Sequence, residues 1–365
     1  MPTAITGSTS IRPFEASKLE IKTYYIPSAI PSYVWSALRQ NSIRTNVVLP
    51  LMEKALSKEQ NGLLQSEDDD DLWITCSSVD AEHNRTLDLV LSCTKNEMGN
   101  YPIFIVATVP FQQLLDHKFL PPRIDNLIRE MKPAGIPVER VYSIFAPEPI
   151  AQLFAEIWSS RTHIAYYAIP YYAAMLSFCT RETLIQRNAT LMHGAIHFNL
   201  RPARFTDLAA VADLCYEFAA KSEPFVLDMS GAHKEAQILI QNNQVWVHEI
   251  QTEGYALPEI ACIVAFTRNT QTTATITKVV TSLNHRGMKC AQRLVRQVCK
   301  HLLYSAGTQS VALYVAHDNK PAGKVYHNVG FVGLDLEYLD TQPIEGVERW
   351  TEIGFDRSRV HLGHW

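Results

Sequence analysis

The sequence predicts an α/β (α+β) protein made of two consecutive units, each with a mixed, mostly antiparallel sheet flanked by helices. The chain has 365 residues, which is enough for two domains of ordinary size. Hydrophobic residues make up 47% of it and charged residues 19%, a composition that can fill a sizeable core. Apolar runs typical of strands alternate with helical periods, and a strand-turn-helix pattern near the end of the chain recurs in its first half.

The first half contains short apolar runs separated by turn residues, as in consecutive antiparallel strands. Helical spacing appears between these runs, and Pro50 divides the first helical stretch in two. We predict strands at residues 19–26, 72–77, 87–93, 101–109 and 138–145, helices at 31–60, 121–131 and 149–161, and an extended aromatic segment at 166–179. The acidic run at residues 65–71 is interpreted as a solvated loop.

Turn residues between 187 and 201 indicate a domain boundary. We place it near residue 195, so that residues 1–195 and 196–365 form the two units. In the second unit the spacing predicts helices at 205–220 and 232–241, then strands at 245–250, 259–267 and 273–281. Asp207 is the expected N-cap of the first helix, because its carboxylate can accept from free backbone N–H groups.

A glycine turn precedes the next helix of the second unit. In residues 283–303, Arg286-Gly287 is followed by apolar positions three or four apart, and basic residues lie on the opposite face. The start of such a helix presents free backbone N–H groups and the positive end of the helix dipole. The turn is therefore a candidate site for a phosphate or pyrophosphate.

Residues 310–331 carry a second candidate site. Residues 310–316 form an apolar run with a β-branched and aromatic bias, which predicts a buried strand. Asn319 follows the strand, and Pro321 suits the first turn of a helix. Tyr326 comes two helical turns after Asn319, and Gly330 can end the helix. In open α/β sheets, ligands bind at this carboxyl edge of the strands.

The order of these elements and two motifs resemble the GNAT superfamily of acyl-CoA N-acyltransferases, over about residues 197–355. Arg286, Gly287 and Ala291 match the family's pyrophosphate motif and its surroundings, whereas Lys289 stands where the family usually has glycine. The family's downstream pattern N-x-x-A-x-x-x-Y-x-x-x-G-F is matched in full by Asn319, Ala322, Tyr326, Gly330 and Phe331. Both motifs lie on consecutive elements, in the family's order.

The resemblance implies that acetyl-CoA is the co-substrate, that a primary amine is the acceptor, and that no metal is needed. By this analogy the pantetheine and diphosphate contact Val279, Val280, Thr281, Arg286, Gly287, Met288, Lys289, Cys290 and Ala291. Asn319 would contact the pantetheine arm or order the helix, and Tyr326 would protonate the departing thiolate as the general acid. Lys289 would either crowd the diphosphate or pair with it, and we expect pairing, with binding retained.

The general base is left open by the sequence. Many family members use a glutamate on the strand before the glycine turn, but residues 273–281 contain no acid. The remaining candidates are His248 and Glu249 on an earlier strand, His317 and Asp318 beside Asn319, and a water relay. Any of these could take the proton that an attacking ammonium must lose.

The first half resembles a second copy of the same unit that has lost its chemistry. When residues 141–158 are laid over 313–331, Pro149 falls on Pro321, Pro147 on Asn319 and Phe154 on Tyr326. No Arg-Gly turn precedes the helix at 121–131, and two prolines there remove N–H donors from any phosphate cradle. We therefore expect the first half to be non-catalytic and to shape the acceptor cleft, since pockets often form where domains meet.

Composition limits the function classes. The net charge of −4 does not indicate nucleic acid as a partner. Seven scattered cysteines, no signal peptide and no apolar run long enough to span a bilayer predict a protein of the cytoplasm or nucleus that does not bind a membrane. We expect a small-molecule N-acetyltransferase. The alternatives are an inactive tandem protein that binds CoA or a protein partner as a scaffold, and an acetyltransferase of protein or histone lysines.

Overall fold

The computed structural model describes residues 18–62, 71–186, 196–252, 258–334 and 344–364. Within these ranges, twelve strands form one continuous sheet, in the order β1-β2-β3-β6-β7-β14-β8-β13-β12-β11-β10-β9. The neighbours β6–β7 and β12–β13 are parallel, and the other neighbouring pairs are antiparallel. This confirms the predicted mixed, mostly antiparallel sheet flanked by helices.

The first half supplies eight strands and five helices to the described structure. The strands are β1 (Lys18–Tyr24), β2 (Leu72–Val79), β3 (Arg85–Cys93), β4 (Lys95–Asn96), β5 (Gly99–Asn100), β6 (Ile103–Ala107), β7 (Ser143–Pro147) and β8 (Tyr172–Thr180). The helices are α1 (Ser32–Gln40), α2 (Leu49–Gln60), α3 (Phe111–Leu114), α4 (Leu120–Met131) and α5 (Glu148–Thr162). The two-residue strands β4 and β5 form a separate small hairpin.

The second half supplies six strands and four helices to the described structure. The strands are β9 (Ile196–Pro202), β10 (Val245–Thr252), β11 (Glu259–Asn269), β12 (Thr273–Thr281), β13 (Ser310–Ala316) and β14 (Glu348–Gly354). The helices are α6 (Leu208–Ala219), α7 (Met229–Gln241), α8 (Cys290–Lys300) and α9 (Lys320–His327).

Both halves follow one plan. Leaving aside the β4–β5 hairpin and the single turn α3, each half runs strand, two helices, three strands, helix, strand, helix, strand. In each half the fourth and fifth main strands are parallel and pair only briefly, over two residue pairs between β6 and β7 and over four between β12 and β13. The first half therefore has a splayed mixed sheet like the second, as the repeat hypothesis requires.

The two halves exchange their last strands. β8, from the first half, lies between β13 and β14 of the second half. β14, from the second half, also pairs with β7 of the first half, so that Trp350 lies opposite Pro147 on one side and Ala174 on the other. This exchange joins the halves in one sheet. The boundary expected near residue 195 lies outside the described residues, as does most of the acidic run at 65–71.

Four buried clusters identify the helices that cover each face. Along β13, Leu313 belongs to the cluster under α8 and α9, whereas Ala312 belongs to the cluster under α1 and α2. Along β14, Trp350 belongs to the α1–α2 cluster and Ile353 to the α4–α5 cluster. Because successive side chains on a strand point to opposite faces, α1, α2, α6 and α7 share one face of the sheet. Helices α4, α5, α8 and α9 share the other.

Two local expectations differ from the structure. The strand predicted at 138–145 is a 3-10 helix at Val138–Arg140 followed by β7, because Pro137 begins a tight turn that the apolar pattern does not reveal. Asp207 stands before α6 but does not cap it with its side chain. Its carboxylate instead accepts from the backbone N–H of Arg204 and pairs with Arg201, which satisfies it elsewhere.

Candidate active site

The splay between β12 and β13 opens the site. Their parallel pairing ends at Ile276 and Leu313, although β12 continues to Thr281 and β13 to Ala316. Past this point β12 remains paired with β11 on its other edge. The backbone groups on its β13 side therefore have no strand partner within the described sheet. A cleft of about 1850 Å³ opens here, and its lining includes residues from both faces of the sheet.

The glycine turn forms one wall of this cleft. A 3-10 turn at Leu283–His285 leads into it, and α8 begins at Cys290. Gly287 has a φ of +79°, and a Cβ built there meets nothing within 4 Å, so the backbone can be approached closely. The Arg293 guanidinium donates to the Met288 carbonyl at 2.7 Å and fixes the turn against the helix.

The backbone conformation at Lys289 shows why the family motif usually has glycine at this position. It is the N-cap of α8 and has a φ of +61°, in the left-handed region where glycine is favoured. The usual glycine therefore serves the backbone conformation, which lysine adopts here at a cost. The Lys289 side chain is exposed and lines the cleft.

Eight of the nine residues expected to contact pantetheine or the diphosphate line the cleft, namely Val279, Val280, Thr281, Arg286, Gly287, Lys289, Cys290 and Ala291. Met288 is not among the lining residues, because its side chain packs on the core under α8. Cys290 is buried, and its thiol donates to the His285 carbonyl.

Asn319 and Tyr326 both line the cleft, but they have different surroundings. Asn319 is the N-cap of α9, and its side-chain oxygen accepts from the Ala322 N–H at 3.2 Å. Tyr326 is buried, and its ring meets Phe331 edge-on at 5.8 Å between centroids. Burial, and next the neighbouring Tyr172, raises the pKa of the Tyr326 phenol, so it is protonated at neutral pH.

The four side chains considered as general base separate into two pairs. His317 and Asp318 line the cleft, whereas His248 and Glu249 are not among its lining residues. His248 is fully buried beside Phe198 at 5.4 Å, and burial lowers its pKa to about 4. Glu249 accepts from Arg201 at 3.0 Å, in the ion-pair cluster with Asp207.

The face of α6 and α7 contributes most of the remaining cleft wall, together with the first half. From the aromatic segment at 166–179, Tyr171 and Tyr172 line the cleft. Tyr166 instead bridges to Phe355, and Tyr167 lies against Arg357. Residues within 222–241 contribute to this cleft, whereas Glu345 and Gly346 line a separate cavity.

Three polar residues of this wall were not anticipated from the sequence. The Lys278 ammonium donates to the Glu235 carboxylate at 2.5 Å, and it lies 4.9 Å from the centre of the Phe218 ring. His364 lines the cleft beside them. Nothing in the local sequence links Glu235, Lys278 and His364, because they come from α7, β12 and a segment after β14.

Within the described part of the chain, no group of three or more histidine, cysteine, aspartate or glutamate residues is arranged to hold a metal ion. No helix in the same ranges is both long and apolar enough to cross a membrane. All seven cysteines are buried.

The chain is similar to known proteins both in its match to a family model and in its three-dimensional fold. Residues 211–331 match the model of the acetyltransferase (GNAT) family. A GCN5-related N-acetyltransferase from Sphaerobacter thermophilus is similar at 11% identity over 95% of this chain and 98% of that one, with a TM-score of 0.51. A Drosophila protein solved by a structural genomics consortium is similar at 11% identity over 92% and 98%, with a TM-score of 0.56.

At these identities the structural likeness establishes the fold alone. No curated protein matches the chain at a significant level. The match to the acetyltransferase (GNAT) family model thus lies within the second half of the chain, and the first half repeats the same order of elements.

Proposed function

We propose that the chain is an N-acetyltransferase that transfers the acetyl group of acetyl-CoA to the primary amine of a small molecule. The observation that supports this most directly is the β12–β13 splay, whose cleft joins the glycine turn, Tyr326 and the face of α6 and α7. A cleft that crosses the sheet lets the thioester enter from one face and the amine from the other. Direct attack through a tetrahedral intermediate then requires no covalent enzyme intermediate.

The donor side fits a diphosphate and a pantetheine arm. Free N–H groups at the start of α8 and the open approach to Gly287 suit a diphosphate, and Arg286 and Lys289 add exposed positive charge. Val279 and Thr281 have backbone groups on the open edge of β12, where an extended pantetheine can pair, whereas those of Val280 face β11. An N–H on this edge can stabilise the oxyanion of the intermediate.

Tyr326 is the proposed general acid. When the intermediate collapses, the C–S bond breaks and the thiolate takes the phenolic proton. A tyrosine phenol is protonated at neutral pH, burial raises the pKa of this one further, and the ring packs against Phe331. Asn319 acts on this step by capping α9, the helix that carries Tyr326. In this proposal it is a positioning residue.

The first half is proposed to shape the acceptor end of the cleft without chemistry of its own. Phe154, the counterpart of Tyr326, is fully buried against Trp158 and has no phenolic proton. Arg123, near the start of α4, is also buried and pairs with Asp88 at 2.8 Å, so it does not serve as a free anion ligand. Tyr101, Tyr171 and Tyr172 of the first half line the cleft.

Two alternatives remain in view. A CoA-binding scaffold would need the same donor side but no acid, and the retained Tyr326 on the cleft wall argues against it. A peptide-lysine acceptor would need an extended acidic groove. The cleft wall mixes acidic side chains such as Glu235 and Glu352 with Arg268 and Lys278, which favours a small acceptor.

The test is release of free thiol from acetyl-CoA in the presence of polyamines, amino acids, amino sugars, arylamines or histone peptides. We expect turnover with at least one small amine. Tyr326→Phe should lower kcat by about 100-fold or more, because general acid catalysis is typically worth that much. CoA affinity, measured by calorimetry, should change little.

The control is Tyr304→Phe, because Tyr304 is 48% exposed and lies beyond the end of α8, away from the cleft. CoA binding without thiol release from any acceptor would replace this proposal with the scaffold. Turnover of histone peptides alone would establish the protein acceptor. An unchanged rate in Tyr326→Phe would remove the acid role.

A further inference from the structure

Residues 356–364 form a strap that leaves β14 and crosses the first half. The backbone N–H of Asp356 donates to Ala165, that of His361 to Glu139 and that of His364 to Asn100. Gly363 packs so closely that a Cβ there would lie 2.1 Å from the Asn100 carbonyl oxygen. The strap is therefore held along its length by backbone contacts, and it brings His364 to the cleft.

His364 lies half-buried in the cleft wall, where three elements meet. Its Cβ is 3.5 Å from the position that a Cβ on Gly99 would take, in the β4–β5 hairpin. That hairpin is tied to α7, because the Lys234 ammonium donates to the Glu97 carbonyl at 2.7 Å. The histidine thus lies against the hairpin, and Glu235 of α7 and Lys278 of β12 are near enough to act on its charge.

The wall that holds His364 is on the opposite face of the sheet from the general acid. Tyr326 belongs to the cluster under α8, whereas Val280 belongs to the cluster under α6 and α7. Lys278 is on the same face as Val280, since it contacts Glu235 of α7 and Phe218 of α6. A thioester between the two faces would have its sulfur near Tyr326, and the amine would approach from the side of His364.

We propose that His364 is the base that takes the proton of the attacking amine; this rests on the proposed function. The ammonium gives a proton to the imidazole, and the nitrogen lone pair then forms the C–N bond. Collapse of the intermediate breaks the C–S bond, and the thiolate takes the Tyr326 proton. A second proton leaves the amide nitrogen, and solvent restores both side chains to their starting states.

Burial lowers the pKa of His364 and so favours the neutral imidazole that can accept a proton. Burial lowers its pKa most, Glu235 on α7 raises it, and Lys278 on β12 lowers it. The other titratable groups of these elements are Lys95 and Glu97 on the hairpin and His233 and Lys234 on α7, and of these Glu97 also lines the cleft. Among the bases considered from the sequence, His317 also lines the cleft, but it is exposed at the end of β13 beside Asn319, on the strand that leads to Tyr326.

The test compares His364→Gln with His361→Gln, using the best amine from the thiol-release panel. His361 is the matched control because it lies exposed on the same strap, with its backbone bonded to Glu139, and is not in the cleft lining. We expect His364→Gln to lower kcat/KM by about 100-fold or more and to lose the acid limb of the pH profile. His361→Gln should stay within about two-fold of the wild type.

A second variant separates chemistry from structure. The His364 contact to Asn100 uses the main chain, so His364→Ala retains it. Added imidazole should restore activity to His364→Ala in proportion to its concentration, whereas a structural role would not respond. His317→Gln is measured in parallel, and it should keep the acid limb.

The outcomes distinguish this inference from the proposed function. If the wild type releases thiol but His364→Gln keeps the rate and the pH profile, only the assignment of His364 is overturned. Loss of the acid limb in His317→Gln instead, or no rescue by imidazole, also overturns it. If no amine supports thiol release in the wild type, the proposed function fails and this assignment fails with it.

Discussion

Lys289 shows how one residue can meet two demands. Its φ of +61° is costly for a side chain with a Cβ, yet the same position puts an ammonium at the start of α8. The glycine usual at this position of the family motif is therefore explained by the positive φ that the turn requires. The side chain that replaces glycine adds charge to the donor wall.

Two substitutions of Lys289 separate the effect of backbone strain from the effect of the positive charge. Lys289→Gly should raise the free energy of unfolding by about 0.5–1 kcal/mol, because glycine adopts this φ without strain. Lys289→Met keeps the strain but removes the charge. Both should weaken CoA binding about five-fold, measured by calorimetry, since an exposed charge contact is worth about 1 kcal/mol. Tighter binding in Lys289→Gly would mean that the lysine crowds the diphosphate.

The burial of His248 should make the free energy of unfolding depend on pH. Burial, and next the charge of Arg293, lowers its pKa to about 4 in the folded state, from the ordinary 6.5. Between these values the unfolded chain binds the proton and the folded chain does not. Proton uptake by His248 in the unfolded chain therefore does not lower the stability above pH 6.5, and it lowers the stability progressively as the pH falls toward 4.

The prediction compares urea unfolding at pH 7.5 and pH 5.0. The wild type should lose about 2 kcal/mol more stability between these conditions than His248→Leu, which cannot bind the proton. The comparison between the two proteins cancels the other groups that titrate in this range. Equal losses in both would show that the pKa of His248 is close to that of an exposed histidine.

At the scale of an element, specific residues fix both ends of helix α9. Asn319 caps its start, and Gly330 follows its end with a φ of +119°. A Cβ at Gly330 would lie 2.1 Å from the Thr183 carbonyl oxygen, so this position requires glycine for two reasons. This close contact holds the end of α9 against the loop after β8. It therefore fixes the position of Tyr326 in the cleft wall.

Two glycines of this region give a matched pair of substitutions. Gly330→Ala should lower the free energy of unfolding by at least about 2 kcal/mol, because both the backbone and the Thr183 contact must shift. Gly323→Ala, within α9 and with open space around the new Cβ, should raise it by about 0.5 kcal/mol. Urea unfolding measures both. Tolerance of alanine at position 330 would contradict the close approach.

At the scale of the whole molecule, the exchange of β8 and β14 determines cooperativity. β8 of the first half pairs with β13 and β14 of the second, and β14 of the second half pairs with β7 and β8 of the first, so neither half keeps a complete sheet when the other unfolds. The buried pair of Arg44 and Glu348, at 2.5 Å, adds a second link between the first half and β14. We therefore expect the halves to unfold together, unlike two domains joined by a linker.

This expectation can be measured by pulsed hydrogen exchange through a urea transition. Peptides from β2 in the first half and β10 in the second should become labelled at the same urea concentration. The two strands lie far apart in the sheet order, so they report separate regions. Labelling in two steps would show that the exchanged strands do not couple the halves.

The sequence by itself determined most of the elements and the two motifs on which the proposed donor side rests. Strand and helix periods predicted the repeated plan, and the motifs indicated the glycine turn, Asn319 and Tyr326, because each motif lies within one strand-helix unit. Such units are recorded in consecutive residues, where spacing can be recognised. Even there, a short turn such as Val138–Arg140 was taken for a strand, since it shares the same apolar pattern.

The tertiary structure alone decided which residues meet across the chain. The exchange of β8 and β14 depends on pairing between strands distant in the chain, and one wall of the cleft joins residues of α7, β12 and the strap that carries His364. Residues so far apart in the chain have no fixed spacing and leave no local pattern. His248 and His364 illustrate the reason, since both are histidines in the sequence, but burial in the sheet separates one from the cleft that the other lines.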